Sequence, residues 1–173
     1  MKQMIRMLIA ALLLGVFAGC GYKPASGYAR AVVGEKVSTQ VVISSEDPEN
    51  TVLIKDAIQA AVITRFRASI VPRSESDTHL RILLKSVKFT PIQYDENGYI
   101  VVYRTRVALQ ITRESGKEAK NYTVSGVYDF TIEPKAIISD QARFDAIRNG
   151  AEKALDVFVA RIAAEGVVKT SEK

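Results

Sequence analysis

Apolar residues change their spacing several times along this chain, and each change marks an element. Met7 to Gly19 is an almost unbroken apolar run behind Lys2 and Arg6. Residues 21–35 (GYKPASGYARAVVGE) have no clear period and are rich in Gly, Ala and Pro, which predicts a tether over residues 20–35. A first strand is expected at Lys36–Ser44. Ser45-Glu46-Asp47-Pro48-Glu49 then carries the signals of a helix start: Asp47 as cap, Pro48 at the first helical position, acid in the first turn. Ile54, Ala57, Ile58, Ala61, Val62 and Phe66 recur at helical spacing, so this helix should end near Ala68, before Pro72. Arg73–Thr78 (RSESDT) reads as a polar loop.

The period then drops to two. Strands are predicted at Leu80–Phe89, Tyr99–Arg113 and Tyr122–Ile132, joined by hairpin turns at Asn97-Gly98 and at Glu114–Lys117. Pro134 ends the last strand, and Ser139-Asp140 can cap a second helix. Phe144, Ile147, Ala151, Leu155, Phe158 and Ile162 step along one face of that helix, and Gly166 stands where a C-terminal stop is expected. The tail from Val167 to Lys173 is short and expected to fray.

These elements predict an α+β domain over residues 36–166 in the order β-α-β-β-β-α. The expected form is a two-layer sandwich, with both helices on one face of a mostly antiparallel four-stranded sheet. The long strand shows the two faces best. Val101, Tyr103, Val107, Leu109 and Ile111 share one side; Arg104, Arg106, Gln110 and Thr112 share the other. At ~3.4 Å per residue this strand extends roughly 50 Å, so its hairpins should project past the helices.

The N-terminal run is too short for a permanent span. Its 13 residues rise only about 20 Å as a helix, against a hydrocarbon core of ~30 Å. With Lys2 and Arg6 in front and small residues behind, residues 1–19 have the layout of a secretory signal peptide. Val16-Phe17-Ala18-Gly19-Cys20 resembles the bacterial lipobox, although Phe17 stands where Leu is usual. That resemblance implies cleavage before Cys20 and acylation of its thiol. Cys20 is the one cysteine, so no disulfide can form within the chain, and a lipid thioether would cap an otherwise exposed thiol. Two or three acyl chains at ~0.8 kcal/mol per buried CH₂ anchor stably where one does not. Gly21, in place of Asp, points to the outer membrane of a Gram-negative cell.

Charge excludes more than it suggests. Removing Lys2 and Arg6 with the signal takes the net charge from +5 to +3, which argues against a nucleic-acid partner. Catalytic signals are poor. His79 has no evident partners and reads as a surface or edge histidine. Asp129 and Glu133 lie four apart near a strand end, where solvation is the common fate of paired acids. Gly98 and Gly116 are explained by turns, and there is neither a metal constellation nor a serine-hydrolase elbow. The chain therefore reads as a non-enzyme without a cofactor or metal. What remains is basic: Arg104 and Arg106 project from one sheet face, and Arg81 and Lys85, either side of Leu83, can share it. Guanidinium groups suit phosphate binding, whereas a merely solvated face is the commoner fate of such residues.

Cys20-Gly21-Tyr22-Lys23-Pro24 resembles the mature start of the LptE family, the lipopolysaccharide-assembly lipoproteins of the outer membrane. Chain length, the early strand, the helix near Asp47-Pro48, the long strand after Asn97-Gly98 with Tyr103 in its first half, and the final helix agree with it. The resemblance implies transport and not catalysis: a lipid-anchored plug in the lumen of an LptD-type β-barrel, which helps the barrel assemble and binds lipopolysaccharide. Where better-known members place basic residues, before the long strand and midway along the last one, this chain has Glu96 and Gly126. Arg104 and Arg106, with Arg81 and Lys85, are therefore the ligand-binding candidates from strand geometry. The rival expectation is a lipoprotein that scaffolds another envelope machine, in barrel assembly or in activation of a cell-wall synthase.

Overall fold

The computed structural model describes residues 25–42, 55, 56, 58–60, 62–64 and 66–171. Cys20, the signal segment and the helix start at Asp47-Pro48 lie outside them. In chain order the elements are helix α1 (Ala25–Val33), strand β1 (Lys36–Val42), helix α2 (helical at the described positions of 55–64), strand β2 (Ser69–Ile70), a 3₁₀ turn at Arg73–Glu75, strands β3 (Thr78–Tyr94), β4 (Ile100–Ser115) and β5 (Glu118–Thr131), and helix α3 (Asp140–Ser171).

The fold is α+β, but its sheet is mixed and five-stranded, in the order β2-β1-β3-β4-β5. β3, β4 and β5 form the expected antiparallel meander. β1 instead runs parallel to β3, pairing Val37 with Thr78 through Val42 with Leu83, and parallel to the two-residue β2. A helix between two adjacent strands carries the chain back to the starting end, which makes the second strand parallel to the first. The four-stranded, mostly antiparallel expectation missed this crossover and β2. It also missed α1. Residues 25–33, expected in the tether, are helical, with Ala29 and Val33 fully buried and Val32 nearly so.

Among the described residues, the buried apolar side chains lie on one side of the sheet. Leu80, Ile82 and Leu84 of β3, Val107, Leu109 and Ile111 of β4, and Tyr122 and Val124 of β5 meet Ile147, Ala151, Leu155, Phe158 and Ile162 of α3. Phe66 joins edge-on to Phe158 at 6.0 Å between centroids. Phe144, expected on the same stripe, is 39% exposed because it belongs to the first turns of α3, toward the distal end of the sheet. Ser139 caps α3 as expected, its Oγ accepting from the Ala142 N–H at 3.2 Å.

Two glycines let backbones touch. A Cβ on Gly126 of β5 would lie 2.0 Å from the Gly150 carbonyl oxygen of α3, so the helix rests directly on the strand. Gly166 was expected to stop α3, yet the helix continues to Ser171. A Cβ there would lie 2.3 Å from the Tyr28 carbonyl oxygen, so Gly166 is where α1 seats on α3. Beside it Arg113 is only 4% exposed. Its guanidinium donates to Tyr122 Oη at 3.4 Å and to the Val32 carbonyl at 3.5 Å. Glu165 completes this cluster, accepting from Lys120 Nζ at 2.7 Å and from Tyr122 Oη at 3.0 Å. Burial pulls the Glu165 carboxyl up, but those hydrogen bonds and the Lys120 and Arg113 charges leave it below its ordinary value.

Gly126→Ala should therefore destabilise the domain by about 1–3 kcal/mol through forced separation of α3 from β5. Gly116→Asn is the control. Gly116 has φ of 59° with open space around it, a conformation Asn tolerates, so its effect should stay below about 0.5 kcal/mol. Urea unfolding of both variants measures the contrast.

Candidate functional site

The face of the sheet opposite the helices carries the basic residues. Arg104 and Arg106 of β4 are exposed on it, while their neighbours Thr105 and Val107 are fully buried on the helix side. The expected assignment of faces on this strand therefore holds. Cross-strand pairing then fixes who stands beside whom. Arg106 is directly opposite Lys88 of β3, and Arg104 is opposite Thr90. Directly paired Cα atoms are roughly 5 Å apart, so Lys88 and Arg106 form one dibasic rung.

The other two candidates are placed less simply. Arg81 pairs with Thr112, six residues along β4 from Arg106, which at ~3.4 Å per residue is about 20 Å away. Lys85 is exposed at a bulge where the register steps from Leu84 to Ser86. That bulge explains why Lys88 was missed. Strict alternation from Arg81, Leu83 and Lys85 puts Lys88 on the helix side. The extra residue flips the parity, so that Ser86, Lys88 and Thr90 share the open face with Arg106.

Arg104 is not a free cation. Its Nε and Nη2 donate to the two carboxylate oxygens of Asp129 on β5 at 2.8 and 2.7 Å. The hydrogen bonds to Asp129, with its charge, push Arg104 up from its ordinary value, and the bonds from Arg104, with its charge, hold the Asp129 carboxyl down. Arg106 and Lys88, with Lys85 close by, are the basic groups of this cluster that can meet a ligand anion while that fork stays intact.

His79 corrects another expectation. It is only 7% exposed, although it sits on the open face of β3. The 3₁₀ turn folds across that end of the face and covers it. Ser76 Oγ donates to the Arg73 carbonyl at 2.9 Å, and Ser38 Oγ donates to Ser76 Oγ at 2.9 Å. Both hydroxyl protons are thereby committed, so His79 Nδ1 donates to Ser38 Oγ at 2.7 Å. His79 Nε2 is then bare, buried and without a partner among the described residues. Arg73 bridges to Glu114 at 2.6 Å and closes the lid. Desolvation, then the Arg73 charge, holds the imidazole below its ordinary 6.5. Among the described residues no three His, Cys, Asp or Glu side chains gather into a metal-holding group.

The distal end of the meander has a different character. Tyr103 and Phe130 stack at 6.0 Å, and Phe89 meets Phe130 edge-on at 6.3 Å. Lys135 Nζ sits 4.8 Å above the Tyr99 ring. Ile92, Tyr94 and Tyr99 at the β3–β4 tip are exposed.

Among families of known proteins, the LptE model, described as lipopolysaccharide-assembly, matches residues 38–162. No curated protein matches the chain in sequence. Among solved structures, a putative lipoprotein from Caulobacter crescentus is similar at 15% identity and a TM-score of 0.47, covering 83% of this chain and 98% of that one. A minor lipoprotein from Acinetobacter baumannii is similar at 9% identity and 0.46, covering 78% and 94%. The rare lipoprotein B from Shewanella oneidensis is similar at 14% identity and 0.42, covering 79% and 94%.

The lid over His79 predicts a pH dependence. A histidine held below 6.5 in the fold leaves the unfolded chain to take up the proton first as pH falls. Stability is therefore full above the unfolded value and declines as pH drops below it. Urea midpoints measured from about pH 7.5 down to about pH 5.5 should fall for the wild type and stay flatter for His79→Gln.

Proposed function

The chain belongs to the LptE family of lipopolysaccharide-assembly proteins, and from that premise we propose that it is a non-enzymatic, lipid-anchored outer-membrane protein that binds lipopolysaccharide and plugs an LptD-type β-barrel. The observation that carries this reading is the one-sided sheet. Every buried apolar side chain of the β3–β4–β5 meander meets the helices, which leaves a polar, basic face that no helix among the described residues covers. Such a face suits the polar interior of a large barrel, which an apolar surface would not. Acyl chains on Cys20 hold the domain at the inner leaflet, and Gly21 favours the outer membrane over the inner one.

Lipid A presents phosphates, and the Lys88–Arg106 rung presents two basic side chains from directly paired positions, their Cα atoms roughly 5 Å apart. Arg106 offers a bidentate fork and Lys88 a mobile point charge. Arg104 acts as the wall of this site, since Asp129 already occupies its fork. Lys85 extends the cluster along β3, and Arg81 is a separate position at the proximal end. Charge-assisted contacts weaken strongly when one partner is removed.

Four expected outcomes test this reading. Lys88→Ala with Arg106→Ala should weaken binding of purified lipopolysaccharide by more than about tenfold, with a reduced salt dependence. Arg81→Ala should change it by less than about twofold, because its backbone position is ~20 Å along the sheet from the rung. Cys20→Ala should abolish acylation, read by mass spectrometry of the N-terminus. Affinity isolation of the intact protein from outer membrane should recover a large barrel in a one-to-one complex. Recovery of peptidoglycan synthases alone would support the scaffold alternative instead.

A further inference from the structure

β5 is the last strand of the sheet, hydrogen-bonded to β4 on one side only. Its pairing to β4 runs from Ser115–Glu118 to Val102–Thr131 without a register shift. The direction of its backbone groups can be read from two bonds. The Ile132 N–H donates inward to the Val101 carbonyl of β4. The Thr123 carbonyl points outward, where it accepts from Arg161 Nη1 at 2.9 Å. In a strand the N–H and C=O of one residue point to the same side and alternate along the chain. Ser125, Val127, Asp129 and Thr131 therefore direct both groups away from the sheet, and no protein donor or acceptor among the described residues meets them.

Exposed edges of this kind usually carry protection: a bulge, a proline, or an unpaired lysine. From Tyr122 to Thr131 β5 has none of these. Its one charge in that stretch, Asp129, is neutralised by Arg104. Beside the same stretch lies a cleft of about 460 Å³ between β5 and the first turns of α3, with Val102, Phe130 and Ala142 among its walls. A strand laid along β5 would direct alternate side chains toward the helix side, where this cleft can take one of them.

We propose that the Ser125–Thr131 edge of β5 is a strand-addition site that receives an extended segment of another protein, with one of its side chains seated in the cleft beside α3. A second copy paired antiparallel along this edge would bring its own α3, which rests on Gly126, onto the same side of the joined sheet, crowding the first α3 where packed helices need 8–10 Å between axes. The occupant is a bare strand with no helix on that side. The inference does not require the barrel reading, although a barrel wall or one of its extended segments would supply such a strand.

The test uses the full-length chain in its own cells. A photo-reactive p-benzoylphenylalanine replaces Val127, whose exposed side chain lies along the edge. Light should give an adduct with a second protein, and mass spectrometry of the joined peptide should place the contact in an extended segment. Ser125→Pro removes one outward N–H without touching the β4 ladder, a position where edge strands tolerate proline. It should lower adduct yield at least tenfold, while Ser125→Thr keeps it within twofold. Thr131→Pro repeats the test at the strand end if Ser125→Pro lowers the thermal midpoint appreciably. No adduct, an adduct indifferent to proline, or an adduct with a second copy of this chain would each overturn the proposal. A proline-sensitive adduct with a protein other than a barrel would uphold this edge and contradict the barrel reading.

Discussion

A helix backbone resting on a strand backbone sets the terms for the rest of this molecule. At Gly126 the α3 main chain comes closer than any side chain would permit, and Gly150 meets Val107 in the same way, with a Cβ there only 2.7 Å from its Cγ2. A 32-residue helix held that tightly covers one side of the β4–β5 pair and gathers the apolar residues there. On the opposite side, away from the 3₁₀ turn that covers His79, Arg104, Arg106 and Lys88 are exposed and released from packing. The polar face can then be specified by charge and hydrogen bonding, and a fold of this design offers a rigid platform with very different surfaces front and back.

The buried polar cluster at the proximal end serves the same arrangement. Arg113 has the parity of Leu109 and Ile111, so it points into the core side, where a cation needs partners. Tyr122, the Val32 carbonyl and nearby Glu165 supply them, tying α1, β4, β5 and α3 together. α1 is thus part of the domain, and four residues stand between Cys20 and Ala25 in the sequence. The five Cα–Cα steps from Cys20 to Ala25 span at most ~18 Å, so a domain anchored at Cys20 would stay close to the membrane surface at this end.

Much of this was legible in the pattern of residues, and the misses have physical causes. Alternation assigned both faces of β4, because a half-buried strand must alternate. Asn97-Gly98 and Gly116 marked the hairpin turns, with Gly98 at φ 82° and Gly116 at 59°. Ser139 announced α3. Periodicity fails where parity breaks, so the bulge between Leu84 and Ser86 hid Lys88. Arg113 could have been found, since a basic residue in the apolar register of β4 is itself a signal. Gly166 and α1 could not, because a glycine's close contact with a distant segment leaves no local trace. The parallel pairing of β1 with β3 was available in principle from the strand–helix–strand order. His79 looked exposed because the 3₁₀ turn that covers it is polar and reads as a loop.

The functional account rests on the helix-free face of the sheet as the place where lipopolysaccharide is met. The most direct measurement is a residue-by-residue map of backbone amide shifts in the isotope-labelled mature protein as lipopolysaccharide is added. The account predicts that shifts concentrate on β3 from Lys85 to Thr90 and on β4 from Arg104 to Gln110. Residues of α3 packed against the sheet, such as Ala151 and Leu155, should stay in place. Shifts concentrated on the helix side, or spread evenly over the chain, would contradict it.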